Sequence, residues 1–414
     1  MTELAASRLL AEFRPGKTVY VQGAGGEPLD LGPMLAAAPE ALDGVWITSC
    51  LLPGINRFDY AALHPAAQLT TFMLPLALRA SFAAGRVSVR PMAYSQIARE
   101  MAVGPAPDLA IFQVTPPDAE GLCTFGPCTD FAPLIWPRAG RRIAFVNAAL
   151  PRPRHGPTIP FAALDLAVES DGPFITGDEA AAGPEQAAIA DRIAALVPDK
   201  AAIQTGIGGA PAAAVARLAN HRGLVICSGM VSEGYRRLDD CGALDPDADH
   251  LTGLAHGSPA FLAWAAERLT FADATVTHGA ETLAAQPRLF AINSALEIDL
   301  FGQANIEWRG GRLVSGLGGA PDFARAARRS AGGRAILALP STAAGGAISR
   351  IVARLDVPTV SIPRDDTDLV ITEHGVAELR GASLEARAEA LIAIAAPDHR
   401  PALAAAWARQ RRAL

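Results

Sequence analysis

The chain has 414 residues, half of them apolar and 19% charged, with a formal net charge of −6. That balance excludes a disordered chain, and net acidity with Lys and Arg spread along the length excludes a nucleic-acid-binding surface. The five cysteines, Cys50, Cys123, Cys128, Cys227 and Cys241, are odd in number and have no CxxC spacing, which excludes a disulfide framework and a cysteine zinc site.

The opening stretch MTELAASRLLAEF is acidic, without the basic flank and long apolar region of a signal peptide, and no run has the length of a membrane span. A cytosolic protein with reduced thiols and a small-molecule ligand is therefore expected. Lys17 to Gln22 reads as a strand ending in the glycine turn Gly23 to Pro28, with a helix expected from Leu29 to Ala38. Strands follow at Val45 to Cys50 and Gln68 to Met73, a helix at Ala93 to Met101, and strands at Leu109 to Val114 and Arg142 to Asn147. Such alternation indicates an α/β fold with an open, largely parallel sheet. Thr115 to Gly121 is a turn cluster after a buried strand, where α/β proteins place ligands, so Asp118 and Glu120 are either site residues or turn formers. Pro151 to Gly177 is the richest proline and glycine tract and places a domain boundary near residue 178, giving domains 1–178 and 179–414.

The second half repeats the alternation. Glu185 to Leu196 has helical spacing, Ala201 to Thr205 is an apolar strand, Gly206 to Ala210 is a turn, and Pro211 suits a helix's first turn. A strand handed directly to a helix N-terminus through glycines is an anion site, since free N–H groups and the helix dipole favour negative charge. The turn has neither the six-residue dinucleotide fingerprint nor the lysine of a P-loop. A second strand, Leu224 to Cys227, leads into a polar loop ending at Gly234, and further strands are expected at Ala274 to Thr277, Leu289 to Asn293, Ala335 to Leu339, Thr359 to Ile362 and Leu369 to Ile371. Helices at Pro259 to Arg268, Asp322 to Ser330 and Leu384 to Ala395 cover them. No residue-level repeat between the halves is evident, and a deep site between two domains is the expectation.

Several segments form an ordered set: QTGIGGAP at 204–211, NSALEIDLFGQ at 293–303, GLGGAPDF at 316–323, PSTAAGG at 340–346 followed by Ser349-Arg350, and TEHGVAELRG at 372–381. With PPDAEG at 116–121 and the Asn147 to Pro151 passage, the set resembles the acetyl-CoA hydrolase/transferase family, which includes 4-hydroxybutyrate and butyrate CoA-transferases. The resemblance covers nearly the whole chain. It implies two open-sheet α/β domains of CoA-transferase type with the active site between them. It further implies coenzyme A or an acyl-CoA as substrate with a carboxylate as partner, no metal and no tightly bound cofactor, no nucleic acid or membrane partner, and homodimeric assembly. By the same resemblance, Gly206, Ile207, Gly208, Gly209 and Ala210 contact CoA together with Gly345, and Gly318 or Gly319 forms an oxyanion hole. Backbone N–H groups at glycine turns are suited to that task.

One position departs from the family. Its transferases carry a nucleophilic glutamate in a His-Ser/Thr-Glu-Met segment, and the matching residues here are Cys227-Ser228-Gly229-Met230. Glycine cannot attack a thioester, so covalent catalysis through a glutamyl-CoA cannot be carried over to Gly229. Glu233 is a substitute if its loop folds back, and Cys227 is a thiol beside the site. Glu297 and Asp299 share a strand face and suit loop support. His278, where some members place asparagine, is a base if water replaces the carboxylate, which would make the enzyme a hydrolase. Arg325, Arg328 and Arg329 are either phosphate ligands or a solvated face, and His374 reads as structural. The expected function is transfer of CoA between a small acyl-CoA and a carboxylate, or hydrolysis of the thioester. The alternative is a non-catalytic acyl-CoA-binding member, and a sugar-phosphate isomerase-like enzyme is disfavoured because the 293–303 and 316–323 motifs have no task there.

Overall fold

Continuous apolar runs such as LAIFQV at Leu109–Val114, buried at every position, belong to strands covered on both faces, and parallel sheets are built from such strands. The computed structural model describes residues 3–177 and 182–413 and contains two of these sheets. The first comprises β1 (Thr18–Val21), β2 (Trp46–Thr48), β3 (Gln68–Thr71), β4 (Val87–Val89), β5 (Leu109–Val114), β6 (Arg141–Asn147) and β7 (Leu166–Ser170). Its order is β4-β3-β2-β1-β5-β6-β7 with every pair parallel. The second comprises β8 (Ala202–Thr205), β9 (Val225–Val231), β10 (Leu251–Ala255), β11 (Thr270–Phe271), β12 (Leu289–Ser294), β13 (Arg334–Ala338), β14 (Leu369–Thr372) and β15 (Gly375–Glu378). Here the order is β11-β10-β9-β8-β12-β13-β14-β15, parallel except for the final antiparallel pair.

The two orders are the same apart from the added antiparallel strand β15. In each sheet the first strand is central, the next three spread to one side and the rest to the other, so the winding reverses between β1 and β5 and again between β8 and β12. Open sheets bind ligands at that reversal, beyond the carboxyl ends of the strands. Gly23-Ala-Gly-Gly-Glu-Pro28 follows β1 and Gly206-Ile-Gly-Gly-Ala-Pro211 follows β8, a shared G-x-G-G-x-P pattern that reading the halves separately missed.

The first crevice is filled by its own chain. A side chain at Gly23 would meet the Cys50 carbonyl oxygen at 2.1 Å, and Gly25 lies over Cys128 and Ala255. Beneath it, the buried Glu27 carboxylate accepts from Asn56 Nδ2 at 2.8 Å and from the Tyr60 hydroxyl at 2.9 Å, while Gln113 Nε2 donates to the Glu27 carbonyl at 3.2 Å. The second crevice is open.

Three expectations change. Ala274–Thr277 is a short helix, because Asp273 accepts from Thr275 N at 2.8 Å as an N-cap and overrides the β-branched residues that suggested a strand. Thr359 to Ile362 forms no strand beyond an isolated bridge from Ile362 to Ala304; Pro358 and Pro363 bracket it and remove ladder donors. β9 continues through Val231 in register with β10, so Gly229 lies in a strand and not in a polar loop. The domain boundary expected near residue 178 lies outside the described residues. No helix among the described residues is long and apolar enough to cross a membrane.

The halves are joined by polar contacts between fixed backbones. Thr129 Oγ1 lies within 2.9 Å of the Gly253 carbonyl and 2.8 Å of the Ala272 carbonyl, and Arg154 N donates to the Ala266 carbonyl at 2.7 Å. Near the open crevice, Tyr94 N donates to the Gly318 carbonyl at 3.0 Å, and Asp322 accepts from Ser95 N at 3.0 Å and Ser95 Oγ at 2.6 Å.

Candidate active site

The carboxyl end of β8 opens onto a cavity of about 520 Å³ lined from both halves. Gly206 to Ala210 form its floor. Gly208, at φ 141°, caps the helix Gly209–Arg217, and that backbone angle favours glycine. Polar side chains crowd the turn: an added Cβ would meet Asn293 Oδ1 at 2.3 Å from Gly206, Ser294 Oγ at 2.4 Å from Gly208, and Gln186 Nε2 at 2.5 Å from Gly209. Asn293 is fixed in turn by a reciprocal amide pair with Gln204, at 3.1 and 3.2 Å. The turn thus presents backbone, helix N-terminus and amides to one space.

The facing wall is the Gly316 to Gly319 turn, with Gly318 at φ 56° and Gly319 capping the helix Ala320–Arg329. The first N–H groups of a helix have no intrahelical partner. Their position is set by the clamp through Tyr94, Ser95 and Asp322. Leu52, Met73 and Leu254 belong to an apolar cluster that spans the two halves and close one end of the cavity, with Phe323 beside them.

His278 lies between these walls. Its ring packs at 4.7 Å from Tyr94 and edge-on at 5.0 Å from Phe323, and it is 5% exposed. Thr277 Oγ1 donates to the Asp273 carbonyl at 3.3 Å and lies 3.0 Å from His278 Nδ1. With the hydroxyl proton committed, that oxygen accepts from Nδ1–H, the tautomer that leaves the Nε2 lone pair facing the cavity. Burial lowers the imidazole pKa to about 3, so the ring is neutral at physiological pH. A Cβ at Gly229 would lie 2.5 Å from His278 Cε1 and 2.6 Å from Nε2, and a Cβ at Gly319 would lie 2.5 Å from Nε2. The imidazole occupies the space into which a side chain at position 229 would project.

Of the residues singled out from sequence, the cavity brings together Gly206 to Ala210, Gly229, His278, Gly318 and Gly319. It does not bring in Glu233 or Gly345. The Glu233 loop does not fold back: its carboxylate accepts from Ser258 N at 2.7 Å and is held there. Gly345 sits, exposed, at the tip of a hairpin formed by Thr342–Ala343 and Ile348–Ser349, away from the lining. Burial raises the Cys227 thiol pKa to about 12, which keeps it protonated. Asp299 accepts from Phe301 N and Gln303 N, and Glu297 from Asn305 Nδ2, so both acids support loops. Asp118 binds its own turn through Glu120 N and Leu122 N. Arg325 and Arg328 are paired with Asp366 and Asp368. Among the described residues, the lining contains no Asp, Glu, Lys or Cys, and no group of three or more potential metal-ligating side chains occurs anywhere. Sequence reading missed Tyr94, Leu52 and Met73, which reach the site only through the packing of one half on the other.

Residues 4–175 match the model of the acetyl-CoA hydrolase/transferase N-terminal domain and residues 257–407 that of the C-terminal domain. The chain belongs to the acetyl-CoA hydrolase/transferase family. It is 30% identical to the 4-hydroxybutyrate coenzyme A transferase of Clostridium kluyveri, over 97% of this chain and 96% of the relative. An acetyl-CoA hydrolase of Candida albicans is also 30% identical, over 49% of this chain and 39% of the relative. The crystal structure of RipA from Yersinia pestis superposes with a TM-score of 0.91 at 27% identity, covering 98% of this chain and 97% of that one. Membership makes the chain an enzyme of CoA transfer or thioester hydrolysis.

Proposed function

We propose that the protein hydrolyses a small acyl-CoA, with CoA on the Gly206 to Ala210 turn and the acyl group against Leu52, Met73, Leu254 and Phe323. The observation that carries this reading is the His278 imidazole standing where a side chain at 229 would project, in a cavity whose described lining holds no carboxylate. Water then replaces the enzyme carboxylate as acceptor. Nε2 takes a proton from water, the hydroxide adds to the thioester carbonyl, and the oxyanion lies at the N–H groups of the Gly318-Gly319 turn. Collapse of the intermediate expels the CoA thiolate, which takes the proton from the imidazolium, and leaves the acyl group as the free acid. Burial leaves the ring a weak base towards water and its imidazolium a ready proton donor to the thiolate.

Support for the small acyl group comes from the apolar end of the cavity, and the cytosolic setting rests on the unpaired cysteines, four of them buried. The test is to incubate the purified protein with acetyl-CoA and butyryl-CoA, with and without acetate, following free thiol and thioester masses. Thiol release that does not depend on acetate is expected. Acetate-dependent exchange of the acyl group without thiol release would overturn hydrolysis in favour of transfer.

A further inference from the structure

Two arginines remain among the cavity-lining residues, Arg309 and Arg350, and neither makes a hydrogen bond through its guanidinium or an ion pair among the described residues. This sets them apart from their neighbours in the second half. Arg325, Arg328, Arg334 and Arg380 are all paired with carboxylates.

Both unpaired groups stand on fixed backbone. Arg350 N donates to the Ser341 carbonyl at 2.8 Å, and the Arg350 carbonyl accepts from Ile298 N at 2.9 Å. Arg309 lies on a hairpin whose strands, Trp308–Arg309 and Arg312–Leu313, are joined by Gly310 and Gly311 at φ 55° and 72°. Asn305 Nδ2 donates to the Trp308 carbonyl at 2.7 Å and Trp308 Nε1 to Thr359 Oγ1 at 2.9 Å, which anchors the hairpin.

The nearby acids are otherwise engaged. Glu297 accepts from Asn305 Nδ2 and Glu373 from Ser341 N at 2.8 Å, and no carboxylate approaches either guanidinium within 4.0 Å. Burial and the like charge of Arg309 lower the Arg350 pKa, against the opposing pull of Glu185, Glu297 and Glu373. A half-buried cation facing another cation is costly unless an anion joins them. Guanidinium forks are suited to the oxygens of phosphate and carboxylate.

We propose that Arg309 and Arg350 form an oxyanion subsite in the cavity, binding a phosphate or carboxylate group of the substrate. The subsite rests on the acyl-CoA reading above. Two sources of that chemistry exist in the reaction, the phosphates of CoA and the carboxylate of a dicarboxylic acyl chain or free acid, and the test separates them.

Arg350→Gln, Arg309→Gln and the double variant are titrated calorimetrically with CoA, 3′-dephospho-CoA, pantetheine and succinate, with Arg350→Lys as the charge-retaining control. A roughly 10- to 100-fold loss of CoA affinity, the range for a lost charge-assisted contact, with pantetheine unchanged, supports the subsite and assigns it to phosphate. Loss with dephospho-CoA as well identifies the diphosphate, and loss with CoA alone the 3′-phosphate. Unchanged CoA binding with weakened succinate binding supports the subsite and assigns it to carboxylate. Wild-type affinities for all four ligands in the double variant would overturn it. Thiol release by the wild-type enzyme is measured separately, so failure of the subsite and failure of the hydrolase reading give different results.

Discussion

At Gly229 a missing side chain and an intruding ring are two aspects of one arrangement. Sequence showed that the glutamate position holds glycine; it gave no sign that His278 fills the vacated space, because the two are distant in the chain and meet only across β9 and the 274–277 helix. Gly229→Ala is expected to destabilise the fold by about 1–3 kcal/mol, the usual cost of forcing atoms into a packed site. In His278→Ala that cost should largely disappear, so a double-mutant cycle read by urea unfolding should show strong coupling. Additive effects would mean that the two positions are independent. For activity, His278→Gln should lower kcat by about 10²- to 10⁴-fold, the range for a lost general base. The wild-type rate should show no acid limb near 6.5, because burial has moved the imidazole to about 3 and the ring stays neutral through that region. A limb at 6.5 that disappears in His278→Gln would contradict the buried neutral ring.

Among the elements, long apolar strands and amphipathic helices were legible, since periodicity and glycine turns are local signals. Of the misread ones, Ala274–Thr277 was turned into a helix by the adjacent N-cap Asp273, whereas β9 was carried past Cys227 to Val231 by pairing with β10. The turn after β8, which lines the cavity, was legible from its glycines alone. Its polar surround was not, because Gln186, Asn293 and Ser294 arrive from three separate elements. Gly208→Ala tests the turn. At φ 141° and 2.4 Å from Ser294 Oγ, a methyl group has neither a comfortable backbone nor space. CoA affinity measured by calorimetry should fall by about tenfold or more, with a change in melting temperature of only a few degrees. Unaltered CoA binding would separate the turn from the ligand.

Over the whole molecule, one strand order is used twice, and the halves meet across a buried seam. Asp130 lies in that seam at φ 44°; its carbonyl accepts from Ala274 N at 3.0 Å, and its carboxyl is buried beside Tyr94. Burial raises its pKa from 3.8 to about 8, against a smaller lowering influence of Tyr94. The folded chain therefore holds a proton there that the unfolded chain releases near 3.8, so stability is greatest below that value and declines as pH rises through about 8. Asp130→Asn keeps the shape without the ionisation. It should match the wild type near pH 4 and exceed its melting temperature by about 2–4 °C at pH 9. Equal melting temperatures at pH 9 would show that Asp130 ionises in the fold as readily as in the unfolded chain.

The closed crevice of the first half has a consequence for how the enzyme can change. Asn56, which binds Glu27 inside that crevice, also accepts from Leu52 N at 2.7 Å, so the polar plug holds in place the loop that supplies Leu52 and Pro53 to the cavity. On the acyl-CoA reading proposed above, the second half supplies the reacting groups, and the first half contributes a gauge for the acyl chain through Leu52 and Met73. Substitutions in the gauge can retune chain length without disturbing the groups that break the thioester, and selection can act on the two separately.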